Sequence, residues 1–295
     1  MQKITPFLWF DDQAEQAIEF YTSIFKNSKI GSVTRLSDEV PGPKGKVLTA
    51  TFQLAGREFM ALNGGPQFTF SPATSFFVLC QTEEEIDELW ARLSQGGKVF
   101  MELGKYPFSQ KFGWVEDRFH LSWQLNLVGL PQAVIPFLTF VGEQAGKAEQ
   151  AIHFYTALFK DSNIFSIERY GSNQPQPQGM VQHASFSLNG ENFMAMDSGL
   201  KHDFTFTLAV SFFVSCQTQS EVDYFWEGLS AQGGEKSQCG WLKDKFGVSW
   251  QIVPTLLGEL LNDPDREKVR RVTQAMLQMT KIDIDKLEQA YRQVE

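Results

Sequence analysis

The stretch GWLKDKFGVSWQIV at residues 240–253 repeats a pattern that is already present in GWVEDRFHLSWQLN at residues 113–126. Gly, Trp, Asp, Phe, Ser, Trp and Gln stand at the same places in both copies. Four more segments recur in the same order: TPFLWF as IPFLTF, AEQAIEFYTSIFKNSKI as AEQAIHFYTALFKDSNI, FQLAGREFMALNGG as FSLNGENFMAMDSG, and SFFVLCQT as SFFVSCQT. The spacing between partners changes by a few residues along the chain, which indicates insertions in loops. The repeated unit is therefore a domain and not a short solenoid repeat.

The length and composition are those of a folded protein with two domains. The chain has 295 residues, of which 42% are hydrophobic and 21% charged. Its net charge of −9 argues against a nucleic-acid or anionic membrane partner, because phosphate binding requires a basic surface. The first residues lack the features of a secretory signal, and the three cysteines lack the spacing of a zinc site or a disulfide framework. We therefore expect a cytoplasmic protein with reduced thiols.

Each copy contains one order of predicted elements twice. A strand at ITPFLWF is followed by an amphipathic helix and three further strands, and the order restarts at SFFVLC. The apolar residues of the first helix follow helical spacing and are Ala14, Ala17, Ile18, Tyr21 and Phe25. The second helix of each copy opens with a T-x-x-E capping box, formed by Thr82 with Glu85 and by Thr218 with Glu221. Each copy is therefore β-α-β-β-β followed by β-α-β-β-β.

We predict an α+β fold of two tandem domains and a tail. In each domain the paired βαβββ modules form a curled mixed sheet with a groove, and the helices lie outside. The first domain covers residues 1–128 and the second covers residues 134–255, with Gly and Pro interrupting the pattern between them. Residues 256–295 are predicted to form a C-terminal helical tail.

The βαβββ modules, the AEQAIEFY helix and the CGWLKDKFGVSWQIVP strand pair resemble the vicinal oxygen chelate superfamily, which includes glyoxalase, bleomycin resistance protein and dihydroxybiphenyl dioxygenase. Within it the chain is most similar to the PhnB-like branch, often labelled 3-demethylubiquinone-9 3-methyltransferase. The resemblance covers nearly the whole chain and implies a glyoxalase/bleomycin resistance-like fold. It leaves the reaction open, because the superfamily includes isomerases, dioxygenases, transferases and pure binding proteins.

Metal-dependent members of that superfamily hold their ion with His or Glu on the first, fourth, fifth and eighth strands. The resemblance places the eighth-strand position at Gln124 and Gln251, where an amide stands in place of Glu. The other positions fall on Thr5, Pro6, Met60, Ala61, Leu62, Ala73 and Thr74 in the first copy, and on Ile135, Pro136, Met194, Ala195, Met196, Ala209 and Val210 in the second. A transition metal requires several imidazole or carboxylate ligands. We therefore predict no metal site and no other cofactor.

Two residues of the repeated stretch are predicted to contact a ligand. Gln124 and Gln251 would place on the groove floor a neutral amide that can donate and accept hydrogen bonds. The alternative is that each amide satisfies a polar neighbour in the core. Trp114 and Trp241 would grip a flat ligand at the groove or its mouth, or else pack the sheet against a helix.

His183, on the third strand of the second copy, is the predicted catalytic acid–base residue because the ordinary pKa of histidine lies near neutrality. The first copy carries Thr49 at this place, so the two sites are not equivalent, and Thr49 is a candidate ligand-binding residue there. Asp197, at the end of the fourth strand of the second copy, is a further ligand-binding candidate, with Asn63 at the matching place. A structural role is the alternative for each.

Two loops and one turn complete the candidates. The Pro-rich loops at residues 39–45 and 171–179 are equivalent and could act as lids beside the grooves. The bend before the last strand carries His120 in the first copy and Gly247 in the second. If that bend requires a positive φ, Gly is tolerated better than His.

The predicted function is metal-independent binding of a small molecule by a PhnB-like protein. The alternatives are an enzyme that acts on a quinone-like or other oxygenated hydrophobic substrate, the methyltransferase of the family label, and a non-catalytic interaction protein. The chain is expected to be a monomer that resembles a dimer of single-domain relatives, or a homodimer. Neither nucleic acid nor membrane is an expected partner.

Overall fold

A computed structural model describes residues 2–35 and 47–292. The predicted lid loop at residues 39–45 lies outside the described residues. The chain divides into two compact units, one formed by Pro6–Val210 and the other by Met1–Thr5 with Ser211–Glu295.

The described helices and strands confirm the βαβββ order in both copies. The elements of the first copy are β1 (Ile4–Phe10), α1 (Ala14–Ile24), β2 (Lys29–Arg35), β3 (Val47–Leu54), β4 (Arg57–Asn63), β5 (Thr74–Cys80), α2 (Glu83–Leu93), β6 (Lys98–Tyr106), β7 (Ser109–Glu116) and β8 (Ser122–Leu127). Those of the second copy are β9 (Ala133–Phe140), α3 (Ala148–Leu158), β10 (Asn163–Arg169), β11 (Val181–Leu188), β12 (Glu191–Asp197), β13 (Val210–Cys216), α4 (Gln219–Leu229), β14 (Glu235–Lys236), β15 (Trp241–Lys243) and β16 (Ser249–Pro254). The tail contains α5 (Thr255–Leu261), α6 (Arg266–Leu277) and α7 (Ile284–Arg292).

Within the unit Pro6–Val210, eight described strands form one mixed sheet in the order β10-β11-β12-β9-β5-β8-β7-β6. Strands β5 to β8 are the second module of the first copy, and β9 to β12 are the first module of the second copy. The modules meet where β5 pairs antiparallel with β9, while β5 pairs parallel with β8 and β12 pairs parallel with β9. One half of this sheet therefore comes from each copy of the repeat.

The remaining strands repeat the same local arrangement in each unit. In Pro6–Val210, β1 pairs parallel with β4, and β3 lies between β4 and β2. In the other unit, β16 pairs parallel with β13 and antiparallel with β15, which pairs with β14. The α+β class, with tandem βαβββ modules built on mixed sheets, is thus as predicted.

The predicted capping boxes begin the second helix of each copy. The Thr82 hydroxyl accepts a hydrogen bond from the Glu85 amide at 3.3 Å, and Thr218 does the same for Glu221 at 3.2 Å. Each glutamate reaches back to accept from the amide one residue before the cap, at Gln81 in the first copy with a distance of 2.7 Å. Two otherwise unpaired donors are thereby satisfied at each helix start.

The bend before the last strand of each copy requires a positive φ, as the sequence suggested. His120 has a φ of 69° and Gly247 a φ of 89°. The amide of each residue donates to the carbonyl of the aspartate three residues earlier, at 2.9 Å in both copies. A side chain at this φ is disfavoured, so the first copy carries a strain that glycine removes in the second.

Candidate functional site

One face of the eight-stranded sheet is lined by apolar side chains from both copies. Because successive residues of a strand point to opposite faces, Phe77 lies on this face while Phe76 and Val78 join the core on the other. We call this set the apolar floor. Its buried members are Phe77, Phe112, Ile135 and Phe137, and its partly buried members are Leu79, Met101, Tyr106, Trp114, Ala133, Met194 and Met196.

Gln124 lies on the same face as the apolar floor and is hydrogen-bonded to a neighbouring strand. Its side chain is buried, and its Nε2 donates to Ser75 Oγ at 2.8 Å. In the strand register Gln124 stands between Phe77 of β5 and Trp114 of β7. The bond to Ser75 uses one of the two amide hydrogens of the side chain. Gln124 therefore has at least a structural role.

The equivalent contact recurs in the other unit, where Gln251 Nε2 donates to Ser211 Oγ at 2.9 Å. Sequence reasoning identified both glutamines but not their serine partners. The sequence does contain a sign of these partners, because Ser75 and Ser211 occupy the same place in the repeated SFFV segment. A polar residue that recurs at one place in otherwise apolar strands indicates a partner across the sheet.

Trp114 lies at the edge of the apolar floor and is half-buried. Its indole Nε1 donates to Ser122 Oγ at 2.8 Å, and its ring lies 5.2 Å from that of Phe100. Its counterpart Trp241 is half-buried on β15 of the other unit, in register with Gln251. The donor of Trp114 is thus satisfied within the protein, and its ring remains the part that can contact a ligand.

His183 lies on β11, across the sheet from the glutamine. Its ring centroid is 6.1 Å from that of Phe137, a member of the apolar floor, and its strand neighbour on β10 is Glu168. Burial lowers the pKa of His183, and the charge of Glu168 opposes that shift. The imidazole is therefore neutral at pH 7 and presents one donor and one acceptor nitrogen.

The lowered pKa of His183 predicts a pH dependence of stability. The unfolded chain takes up a proton near the ordinary histidine pKa of about 6.5, whereas the folded chain does so only at lower pH. The free energy of unfolding is therefore expected to fall as the pH drops below about 6.5, by at most roughly 1.4 kcal/mol per pH unit. Urea unfolding of the wild type and of His183→Gln at pH 7.5 and pH 5.5 measures this, and the variant should lose part of the slope. Equal slopes in the two proteins would contradict it.

Three of the remaining predicted site residues lie elsewhere. Thr49 is on β3, paired with Leu62 and Thr34, and is not on the sheet formed by β5 to β12. Gln251 and Trp241 are in the other unit. The structure therefore places Gln124 and Trp114 from the first copy and His183 from the second on one face of the same sheet, with His183 four strand positions from Gln124, a combination that the repeat alone does not indicate.

The Asp197 carboxylate accepts hydrogen bonds from backbone amides. Its carboxylate is 1% exposed and accepts hydrogen bonds from the amides of Gly146 at 2.8 Å, Ala148 at 3.1 Å and Val181 at 2.9 Å. Burial raises its pKa, and these bonds oppose the shift. Asn63 plays the same part in the first copy, accepting from the Ala14 amide at 2.8 Å. Both side chains accept hydrogen bonds from amides at the start of a helix, which is the structural role that was the alternative for each.

The side chains on the floor do not fit a transition metal. The sheet presents an amide at Gln124, a hydroxyl at Ser75, an aliphatic side chain at Ile135 and a thioether at Met194. Zinc, nickel and iron require imidazole, carboxylate or thiolate ligands in number. Across residues 2–35 and 47–292, no group of three or more His, Cys, Asp or Glu side chains could hold a metal ion.

Cys80 and Cys216, which occupy matching places in the two copies, are free and buried. Burial raises the pKa of Cys80 and of Cys216 to about 12, so both remain thiols at neutral pH and are poor nucleophiles. Cys239 is partly buried, and its pKa is also raised by burial. In the part of the chain that is described, no helix is long and apolar enough to cross a membrane.

Comparison with known proteins agrees with this architecture. A model of the family described as 3-demethylubiquinone-9 3-methyltransferase matches residues 2–126 and again residues 132–253. The solved structure of a PhnB protein from Bacillus cereus is 50% identical, over 43% of this chain and 100% of that chain, with a TM-score of 0.42. Glyoxalase I from Zea mays is 13% identical over 88% of this chain and 95% of its own, with a TM-score of 0.54, a likeness of fold alone. No curated protein matched.

Proposed function

We propose that the apolar floor binds a flat, mostly apolar small molecule without a metal ion. The chain belongs, in both of its halves, to the family described as 3-demethylubiquinone-9 3-methyltransferase. The observation that carries the proposal is the composition of this face. Aromatic, aliphatic and thioether side chains surround few polar groups, the composition typical of small-molecule sites.

The polar groups around the floor favour a ligand that carries oxygen atoms. Gln124 lies beside Phe77 within the floor, and the neutral His183 lies on the same face near Phe137, four strand positions from Gln124. Neither group is charged at pH 7, since burial lowers the pKa of His183. Neutral donors suit carbonyl or hydroxyl oxygens and give no strong attraction to a carboxylate or phosphate. A quinone-like compound has this chemistry.

The eight-stranded sheet is a better candidate for this site than the equivalent strands of the other unit. Phe213, the counterpart of Phe77, packs against a cluster formed by the tail. The buried members of that cluster are Val253, Leu257, Leu260, Val272, Met279, Ile282 and Leu287. The tail helices therefore occupy apolar surface in that unit which a ligand would otherwise contact.

The experiment compares a quinone with the hydrocarbon that lacks its two carbonyl oxygen atoms. The probes are 2,3-dimethyl-1,4-naphthoquinone, which has no free ring position for thiol addition, and 2,3-dimethylnaphthalene. Equilibrium dialysis should show saturable binding of both. Gln124→Leu should weaken the quinone about tenfold, the value of one hydrogen bond, and change the hydrocarbon less than about twofold.

Gln251→Leu is the matched control, because it makes the same change in the other unit. It should leave the affinity for the quinone within about twofold of the wild type. Absence of saturable quinone binding below about 1 mM contradicts the proposal. An equal loss in the Gln124 and Gln251 variants would instead place the site elsewhere.

The methyltransferase activity that the family description names receives less support. S-adenosylmethionine, the methyl donor it implies, is commonly held by a glycine-rich turn at the carboxyl end of a strand in a parallel sheet. Here β5 leads into α2 through Gln81 and Thr82, and the sheet contains five antiparallel and two parallel strand pairs. The residues present do not fit that cofactor. Heat release on titration with millimolar S-adenosylmethionine would reverse this conclusion.

A further inference from the structure

Two equivalent turns of the repeat meet within the unit Pro6–Val210. The turn between β3 and β4 places Arg57 at the start of β4, and the turn between β11 and β12 places Glu191 at the start of β12. These two residues occupy the same position in FQLAGREFMALNGG and FSLNGENFMAMDSG. Arg57 Nη1 donates to the Asn192 carbonyl at 2.9 Å, and Arg57 Nη2 lies 3.4 Å from Glu191 Oε2. Equivalent positions of the two copies therefore contact each other.

The contact is largely removed from solvent. The Arg57 side chain is 9% exposed and that of Glu191 is 26% exposed, and the guanidinium lies 5.5 Å from the Phe193 ring centroid. Burial lowers the pKa of Arg57 to about 10 and raises that of Glu191, and each charge opposes the shift of the other. Arg57 Nε and Nη2 are buried without a hydrogen-bond partner among the described residues. Glu191 is thus the anion that compensates the buried cation.

Because Arg57 and Glu191 occupy equivalent positions of the repeat, their charges bear on which copies can pair as well as on stability. When two identical domains meet about a two-fold axis, a residue near the axis faces its own counterpart. The β3–β4 turn of the first copy and the β11–β12 turn of the second meet at equivalent residues in that manner, but the facing residues are Arg57 and Glu191. Pairing of two first copies would bury two arginines together, and pairing of two second copies would bury two glutamates. Both arrangements oppose like charges at low exposure.

We infer that the contact between Arg57 and Glu191 is a recognition element that selects the pairing of a first copy with a second copy and rejects the pairing of like copies. One consequence concerns the composition of the eight-stranded sheet. Selection of unlike copies ensures that Gln124 from the first copy and His183 from the second share one sheet. The inference concerns assembly and stands whether or not that face binds a ligand.

Charge reversal in the full-length chain reproduces the rejected pairings. Glu191→Arg sets arginine against arginine, as two first copies would, and Arg57→Glu sets glutamate against glutamate, as two second copies would. Each single variant is expected to lower the Tm by roughly 10 °C or to prevent folding. The double variant R57E/E191R restores opposite charges and is expected to recover most of the loss. Arg169→Glu, at the exposed pair with Glu149, is the control and should shift the Tm by less than about 2 °C.

A neutral pair tests selectivity separately from stability. Arg57→Met with Glu191→Met removes both charges while keeping apolar bulk, so the chain should fold. After refolding from urea at high protein concentration, light scattering should find a dimer fraction at least twice that of the wild type, because pairing between like copies is no longer opposed. An unchanged dimer fraction overturns the inference. So does a double reversal no more stable than the weaker single variant, or single reversals that match the Arg169 control.

Discussion

Replacing Asp117 with alanine is expected to lower the free energy of unfolding by about 3–5 kcal/mol. Asp117 lies in the turn between β7 and β8 and is 1% exposed. Its Oδ2 accepts from the Tyr21 hydroxyl at 2.7 Å and from the Trp123 indole at 2.8 Å. Its Oδ1 accepts from the amides of Phe119 at 2.8 Å and Leu121 at 3.1 Å. One carboxylate therefore joins α1, β8 and the turn itself.

The loss is large because four buried donors lose their acceptor together. Burial raises the pKa of Asp117, and the four hydrogen bonds oppose that shift, so the network compensates the cost of removing this group from water. Alanine leaves the donors of Tyr21 and Trp123 without a partner in a core that admits no solvent. Each unsatisfied buried donor costs roughly 1–3 kcal/mol, and relaxation of the turn recovers part of the total.

Urea unfolding followed by tryptophan fluorescence measures the effect. Tyr21→Phe is the graded control, because it removes one of the four donors and leaves the carboxylate in place. It is expected to cost about 1 kcal/mol. An Asp117→Ala loss no larger than that of Tyr21→Phe would show that the carboxylate does not organise the turn.

Replacing Ile282 with alanine should lower the free energy of unfolding by about 2–4 kcal/mol. Ile282 is fully buried and belongs to the cluster that the tail forms with Val253 of β16. Its backbone carbonyl accepts from Gln219 Nε2 at 3.2 Å, and the Gly240 amide donates to the Thr280 carbonyl at 2.8 Å. The tail is thus hydrogen-bonded to α4 at Ile282 and to the residue before β15 at Thr280. The substitution leaves a cavity that these backbone contacts prevent from closing.

Leu277→Ala is the matched control within the same tail. Leu277 is 50% exposed, so its removal should change the free energy of unfolding by less than about 0.5 kcal/mol. The two variants are compared by chemical denaturation with a probe in the unit Ser211–Glu295, where Trp241 and Trp250 lie. Equal effects of the two substitutions would mean that the tail is not part of the cooperative core.

The local features of the fold could be predicted from the sequence. Helical spacing identified Ala14, Ala17 and Tyr21, and the structure buries all three. The capping residues Thr82 and Thr218 are confirmed at the starts of α2 and α4. These features depend on residues a few positions apart, so backbone geometry alone connects sequence to structure.

The candidate site could be predicted only in part. The repeated stretch identified Gln124 and Trp114, both of which the structure places on one face of the sheet. It did not reveal that Asp197 caps a helix, since that role depends on the amides of Gly146 and Ala148, which are distant from it in the chain. A carboxylate at a strand end has the same appearance in the sequence whether it faces a ligand or the backbone.

The sequence by itself determined that the chain contains four βαβββ modules, where their helices begin, and which side chains of each strand share a face. The tertiary structure decided that the second and third modules join through β5 and β9, bringing Gln124 and His183 to one sheet. The physical reason is that strand periodicity specifies the faces of a module but not its neighbour. Four similar modules offer several pairings of comparable apolar burial, so contacts between residues far apart in the chain select among them.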